Sequence, residues 1–424
     1  MNKPILLVAV ILSAMVLLPF LPISQAQINL NNITNVNPGD SIQQAIYEAN
    51  EGDTIIVSSG IYYEHNIIVN KSVTIVGANK ETTIIDAEEN PGAIFVIGAD
   101  GVEIRNLTLQ NTFSAAGYGI SLDSFRNAVV SDCTIKQCYQ AVGLANGTDC
   151  TLARNVIKDN YYCGIYLHYY SSYNYIYGNS IKNNTIGVYI DNVSKENRLY
   201  HNNFLNNTNY YGGFGITANY WNETYPSGGN FWSNYTGVDL YSGFYQNETG
   251  SDGIGDKNYT IYGDTVDFYP LMAPVHFLNA GRWNEQEYYV AIATKSNVSD
   301  FRFYPAETPP FVSFNVSNHD ANFCRLTIPK KLLSVAYLVN WTVLVNQNPP
   351  DVLNMMEDSD YTYLYFTLNN TVSAIKISGT YAIPELPQLI LLTTFVATTV
   401  AVLIGKRKRF SKHPPSCKNQ QFPK

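Results

Sequence analysis

Charge is scarce in this chain. Asp, Glu, Lys and Arg make up only 14% of its 424 residues, and the formal net charge is -8. This mildly acidic balance lacks the overall basic footprint of a nucleic-acid binder. Cysteine is sparse, six in all, and no CxxC pair occurs, which argues against a thiolate zinc site. Cys133, Cys138, Cys150 and Cys163 fall within one stretch, where a disulfide could form outside the cell. The alternative for them, and for Cys324 and Cys417, is the role of small buried hydrophobes. The same central stretch lacks the 3.6-residue period of amphipathic helices. Tyrosine, in contrast, is abundant at 33 residues. An aromatic-rich, polar and uncharged surface suits carbohydrate contact.

The two ends carry an address. Lys3 precedes an apolar run from Ile5 to Leu18, and Ser24-Gln25-Ala26 offers a small-residue cleavage site. This predicts a secretory signal over residues 1–26. Near the other end, Leu386 to Gly405 is almost wholly apolar, and the spacing predicts a transmembrane helix over 388–405. Lys406-Arg407-Lys408-Arg409 follows at once and places the tail, 406–424, in the cytoplasm by the positive-inside rule. Everything before the span is then extracellular, on a single-pass cell-membrane protein. About fifteen Asn-x-Ser/Thr triplets, among them Asn70, Asn106, Asn146, Asn192, Asn222, Asn234, Asn297, Asn340 and Asn369, fit that location as glycan acceptors.

Between the ends the chain repeats. GISL (Gly119 to Leu122), AVGL (Ala141 to Leu144), GIYL (Gly164 to Leu167) and GVYI (Gly187 to Ile190) recur at steps of roughly 22 to 23 residues. A second column follows the same period, Val130, Leu152, Ile176 and Leu199, and a third follows too, Ile135, Ile157, Ile181 and Phe204. Between these two lie Cys133, Asn155, Asn179 and Asn202, and behind the third sit Cys138, Asn160, Asn184 and Asn207. A strand this short cannot bury its apolar face alone, so successive units must stack. Three short strands per unit describe one coil of a parallel β-helix. The apolar columns then become internal ladders, and the Asn columns become amide ladders at turns where Asn tolerates left-handed geometry. A leucine-rich repeat has a similar period, but its LxxLxLxxN signature is absent. Ahead of the coils, Ser41 to Asn50 reads as a helix capped by Asp40 or Ser41, with Ile42, Ala45, Ile46 and Ala49 on one face. Such a helix would plug the open end of the solenoid.

These features resemble a known superfamily. The order capping helix, Gly52-Asp53, Gly60-Ile61-Tyr62-Tyr63-Glu64, then Val73 to Gly77, is similar to the opening of pectin-lyase-like right-handed β-helices. The Asn-rich coils, with GNFWSNYTGVDLYSG, SDGIGDKNYTI and DFYPLM, resemble the NosD-like branch of periplasmic copper-binding or carbohydrate-binding repeat proteins, in the form found among archaeal surface proteins. The resemblance covers about residues 38 to 272 and implies a right-handed parallel β-helix; many chemistries, and none, share that fold.

After Pro270 the pattern changes. Glu287 to Thr294, Phe311 to Val316, Phe323 to Ile328, Trp341 to Val345, Tyr361 to Leu368 and Val372 to Ser378 read as strands of an immunoglobulin-like β-sandwich. The predicted organisation is therefore all-β: a β-helix over 27–272, a β-sandwich over 273–380, a stiff linker over 381–387 and the membrane helix. IPELP before an apolar span and a basic cluster also resembles archaeal C-terminal sorting signals, in which a lipid replaces the helix.

The polygalacturonase-type NTD, DD and GHG motifs and the epimerase-type DPHD segment are absent. Asp123, Asp132, Asp149, Asp159 and Asp191 stand at different positions of their repeats, so no carboxylate pair is evident. His168 is the best-placed candidate, among Tyr166, Tyr169, Tyr170 and Tyr173. It reads as a sugar-binding surface with rings stacking on a pyranose, or as a plain exposed histidine. The NosD resemblance implies copper, but one imidazole without a His or Met partner is a poor copper site, and His65, His201, His276 and His319 show no ligand spacing. Asp252 and Asp256, with Asp239, Asp264 and Asp267 nearby, could hold Ca²⁺ in a glycine-permitted turn, or form an Asx-turn loop closing the β-helix. The function expected is non-enzymatic binding of a polysaccharide, an envelope glycan or an envelope protein. The alternatives are a polysaccharide lyase or glycoside hydrolase, and a copper-binding accessory protein.

Overall fold

The computed structural model describes residues 32–113, 117–213, 218–284, 286–317, 323–368 and 372–383. The signal segment 1–26, the apolar span 388–405, the basic tail and Cys417 lie outside the described residues. Among the described residues no helix is long and apolar enough to cross a membrane.

The repeats coil as their period requires. Their strands form three parallel sheets, of eight, eight and seven strands. Sheet A runs from Ile33–Val36 to Arg198–Tyr200, sheet B from Gly60–Tyr62 to Phe231–Trp232, and sheet C from Ile67–Val69 to Asn209–Gly212. Each sequence column becomes a register column. Val130 pairs with Leu152, Leu152 with Ile176 and Ile176 with Leu199. Ile135, Ile157, Ile181 and Phe204 pair likewise in sheet B, and Ile120, Val142, Ile165 and Val188 in sheet C. All of these side chains are buried in one continuous core. At roughly 1.5–3 kcal/mol per buried aliphatic side chain, stacked ladders supply the stability that no single coil could.

The corners are built from asparagine. Asn155 Oδ1 accepts the backbone N–H of Cys133 at 3.0 Å, Asn179 that of Asn155, and Asn202 that of Asn179. Each amide also donates Nδ2 to a carbonyl of the preceding coil and to the next asparagine. A second ladder runs Cys138, Asn160, Asn184, Asn207, and a third runs Cys150, Asn174, Asn197, Asn219. Left-handed backbone is not carried by the ladder residues. It falls one position earlier, on Asp132, Arg154, Gly178 and His201 in the first ladder. The ladder asparagine turns inward, and the residue before it absorbs the corner. Each ladder opens on a cysteine, and the described cysteines are free and buried.

Both ends are closed by what the motifs encode. The helix Ile42–Glu48 buries Ile42, Ala45 and Ile46 and is capped by Ser41, whose side chain accepts from Gln44 N. Glu64, the last residue of GIYYE, also caps it, accepting the N–H of Ile42 at 2.8 Å and of Gln43 at 3.2 Å. At the far end Phe204 stacks on Trp232 at 4.2 Å, and Trp232 on Tyr259 at 4.6 Å.

The remaining strands are antiparallel; apart from three two-stranded pairs, they form two layers. A five-stranded inner sheet has the order 275–283, 286–293, 323–329, 361–367, 353–357; a four-stranded outer sheet has 297–304, 311–317, 372–378, 342–345. Their facing side chains share one core, including Val290, Leu326 and Phe366 from the inner sheet and Val312, Phe314 and Ile377 from the outer. The inner sheet is buried on its other face too, where Ala291, Ala293 and Val275 meet Ile254, Leu271 and Ala273.

Candidate functional site

The outer face of sheet C collects aromatic side chains because its coils are in register. Tyr166 and Tyr189 are direct pairing partners, with ring centroids 4.8 Å apart. His168, two residues along the same strand, lies 4.5 Å from Tyr166 and 4.6 Å from Tyr169. Tyr139 stacks on Tyr162 at 5.4 Å. One coil earlier Tyr118 lies flat across Gly143, where a Cβ would come within 2.4 Å of the ring. A glycine at 143 is what lets that ring lie down.

The turn after His168 is held open by strain and by hydrogen bonds. Tyr169, Tyr170 and Tyr173 all adopt left-handed backbone, with φ of 50°, 66° and 61°. Bulky residues rarely do so. Asp191 Oδ2 accepts the N–H of Tyr169 at 2.8 Å, and Ser171 Oγ donates to the carbonyls of His168 and Leu144 at 2.9 Å. The rings are consequently presented to solvent, with Tyr169 65%, Tyr170 64% and Tyr173 55% exposed. Tyr173 takes the corner position ahead of Asn174 that Asp149 takes ahead of Cys150, so the third ladder fixes its backbone and turns its ring outward. Partial burial lowers the His168 pKa, against the opposing fields of Asp191 and Asp123, so the ring is neutral at pH 7. Burial and neighbouring phenols push Tyr166 up to about 12. The face is therefore a neutral aromatic platform.

The structure brings Tyr166, His168 and Tyr169 into one chain of ring contacts, with Tyr170 and Tyr173 on the adjoining turn. Tyr189 and Tyr118, which sequence reading passed over, complete the face. The signal for Tyr189 was its place one repeat beyond Tyr166.

The aspartates do different work. Asp267 is buried and ends the first asparagine ladder: Oδ2 accepts the N–H of Asn230 at 2.8 Å and Trp232 Nε1 at 2.9 Å. Burial raises its pKa to about 7. Asp252 Oδ1 accepts the N–H of Ile254, and Asp256 caps the N–H groups of Leu240 and Tyr241. Asp239 caps Asp252 and Gly253. Asp264 is exposed in the turn between Tyr259–Tyr262 and Thr265–Asp267. Among the described residues no group of three or more His, Cys, Asp or Glu side chains is placed to hold a metal ion.

That cap docks the inner sheet through a residue the sequence did not flag. Arg325, buried, donates Nε to the Asp252 carbonyl at 2.9 Å and Nη2 to the Pro226 carbonyl, with its guanidinium 5.0 Å from the Tyr363 ring centroid.

A family model described as periplasmic copper-binding protein (NosD) matches residues 24–237. Among solved structures, the chain is similar to the catalytic domain of a GH87 alpha-1,3-glucanase D1069A in complex with nigerose, at 20% identity and TM-score 0.37, covering 44% of this chain and 37% of that one. It is similar to pectate lyase Pel9A at 15% identity and TM-score 0.37, covering 45% and 57%. It is also similar to an alginate lyase from Paenibacillus sp. str. FPU-7 at 15% identity and TM-score 0.30, covering 42% and 75%. The chain thus spans less than two thirds of the glucanase and of Pel9A. No curated protein matches it.

The donor set does not fit the copper that the family description implies. The His168 ring packs against two tyrosines. His201 is buried on the carbonyl of Ser227, its pKa driven down to about 4 by burial. Burial pushes the Cys133 thiol up to about 12 and those of Cys138 and Cys150 up to about 11, so none is a thiolate. They also open three different ladders and do not converge.

Proposed function

The chain belongs to the NosD family, and from that premise we propose that it is a membrane-anchored extracellular β-helix protein that binds carbohydrate or other cell-envelope components without turning them over. The observation that carries this reading is the neutral platform of Tyr166, Tyr189 and His168, bordered by the strained, exposed Tyr169, Tyr170 and Tyr173. Such rings stack on the apolar face of a pyranose, with phenol and imidazole edges left to hydrogen-bond its hydroxyls. Residues 27–272 form the β-helix in this reading, and 273–380 form an immunoglobulin-like sandwich that stands between it and the membrane. The signal segment, the terminal apolar span and the basic cluster support the anchoring.

The second reading is a polysaccharide lyase or glycoside hydrolase. It draws on Asp123 and Asp191, the carboxylates whose fields reach His168. A glycan array on the soluble ectodomain, run beside reducing-end and unsaturated-uronate assays, separates the two. Binding that Tyr166→Ala and His168→Ala weaken at least tenfold, with no product, supports the first. Turnover of any polymer overturns it in favour of the second.

A further inference from the structure

The inner sheet is covered on both faces, but the outer sheet is covered on one. Its free face is shaped by residue size. The two central strands, Phe311–Ser317 and Val372–Ser378, send Ser313, Asn315 and Ala374 outward, and these small side chains make a floor. The edge strands raise Arg302 and Tyr304 on one side, and Leu344 with the nearby Gln347 on the other. The resulting trough has a volume of about 380 Å³, within the range of pockets that hold small ligands. Val312, Phe314, Ile375 and Ile377 fix the floor from beneath by packing in the core.

The charge of the trough is unbalanced. Arg302 pairs across the sheet with Ser313, and Ser313 with Lys376. The two cations therefore share one row, roughly 10 Å apart at the backbone by strand spacing, with only a serine between them. Two long side chains at that separation can reach a single anionic group. Neither forms an ion pair among the described residues. Asp300 also lines the trough, where it accepts from Asn315 Nδ2 at 2.9 Å and Ser299 Oγ at 3.1 Å, so two cations face one carboxylate. One row along, Tyr304 stacks on Phe311 at 4.5 Å, and the Lys376 ammonium sits 4.0 Å from the Phe311 centroid. The Tyr304 ring beside two cations that have no carboxylate partner among the described residues matches a ligand that is apolar on one face and anionic at one edge.

We propose that this trough binds an acidic sugar unit, one carrying a carboxylate, sulfate or phosphate, with Arg302 and Lys376 on the anion and Tyr304 against the ring. This site is separate from the sheet C platform and does not depend on it. Calorimetric titration of the soluble ectodomain with trigalacturonate, a sulfated chondroitin tetrasaccharide and neutral maltotriose tests it. At least one acidic probe should bind, weaken by fivefold or more in Arg302→Gln and in Lys376→Gln, and lose affinity as salt rises. Tyr166→Ala should leave that binding unchanged. Both cations are exposed, so their replacement should leave the melting temperature near wild type. The proposal is overturned if neither acidic probe binds, if the two variants bind like wild type, or if Tyr166→Ala abolishes the binding. It is also overturned by a mass spectrum showing a glycan on Asn315, which opens the triplet Asn315-Val316-Ser317 and would fill the trough.

Discussion

Asn155 and Asn179 are joined twice: the Oδ1 of Asn179 accepts both the backbone N–H and the side-chain Nδ2 of Asn155, each at 3.0 Å. Asn179 in turn donates to the carbonyl of Leu152 at 2.8 Å and to Asn202 Oδ1 at 2.9 Å. All of this is buried, so no water can replace a lost partner. Asn179→Ala strands the Asn155 N–H and the Leu152 carbonyl, at ~1–3 kcal/mol for each buried group. The expected loss is about 4 kcal/mol in urea unfolding. Asn183→Ala is the control: Asn183 is exposed, with φ 56°, and should lose ~1 kcal/mol for the left-handed backbone. Equal losses in the two variants would refute the ladder account.

The ladders and apolar columns were legible because the separation from coil to coil stays within 22 to 24 residues, as Val130, Leu152, Ile176 and Leu199 show. Strands of the antiparallel layers were legible only in part. The runs Val275–Trp283, Asn297–Tyr304 and Leu353–Glu357 were missed, and all three lie at sheet edges. An edge strand packs on one side only and tolerates polar residues such as Asn279, Arg302 and Asn354, which blur the alternation. The platform was half legible: Tyr166, His168 and Tyr169 are neighbours in sequence, but Tyr189 joins them only through register. For Asp267 the sequence offered a calcium ligand or an Asx-turn loop from its near neighbours, and its hydrogen-bond partner Asn230, 37 residues away, was out of reach of either. Arg325 could not be read at all, since its carbonyl partners lie 73 and 99 residues away.

One buried carboxyl, Asp267, and one half-buried carboxyl, Asp239, set a pH dependence. Burial raises Asp267 and Asp239 to about 7 each, and the nearby Asp252 and Asp256 charges add to the shift at Asp239. Both lie above the ordinary aspartate value of 3.8, so the folded protein holds these protons more tightly than the unfolded chain does. Stability from this source is fully present below about pH 4 and is lost as pH rises through 7. His201, which burial lowers to about 4, pulls the other way below pH 6.5, so the checkable quantity is the difference between proteins: the melting temperature of Asp239→Asn should fall less than that of wild type between pH 5 and pH 8. A wild-type melting temperature that rises over the same interval, with Asp239→Asn unchanged, would contradict the assignment.

Arg325 is the fastener between the β-helix cap and the inner sheet. Its guanidinium satisfies the carbonyls of Asp252 and Pro226, and Gly253, with φ 86°, admits its side chain: a Cβ there would lie 2.6 Å from Arg325 Cδ. Arg325→Met keeps the volume but orphans both carbonyls, for a loss of about 2–4 kcal/mol. The loss should be local to the junction. Hydrogen exchange should speed up over 222–272 and 323–329 while the amides of 129–205 stay protected. Uniform deprotection of the whole coil would mean that Arg325 supports the core rather than the junction.

The exposed turn after His168 sets display against packing. Tyr170 has φ 66°, a conformation that costs a bulky residue ~1–2 kcal/mol and that asparagine tolerates. If its ring serves a ligand, the fold gains nothing from it, and Tyr170→Asn should raise stability by ~0.5–1 kcal/mol while weakening glycan binding. If the ring instead shields the corner, the same change should destabilise the protein. Thermal melts of Tyr170→Asn and Tyr170→Phe decide the matter, because phenylalanine keeps the ring and the strain. The display reading requires Phe to melt with wild type and Asn to melt higher. An Asn variant that melts lower than both would remove the strained turn as support for a binding face.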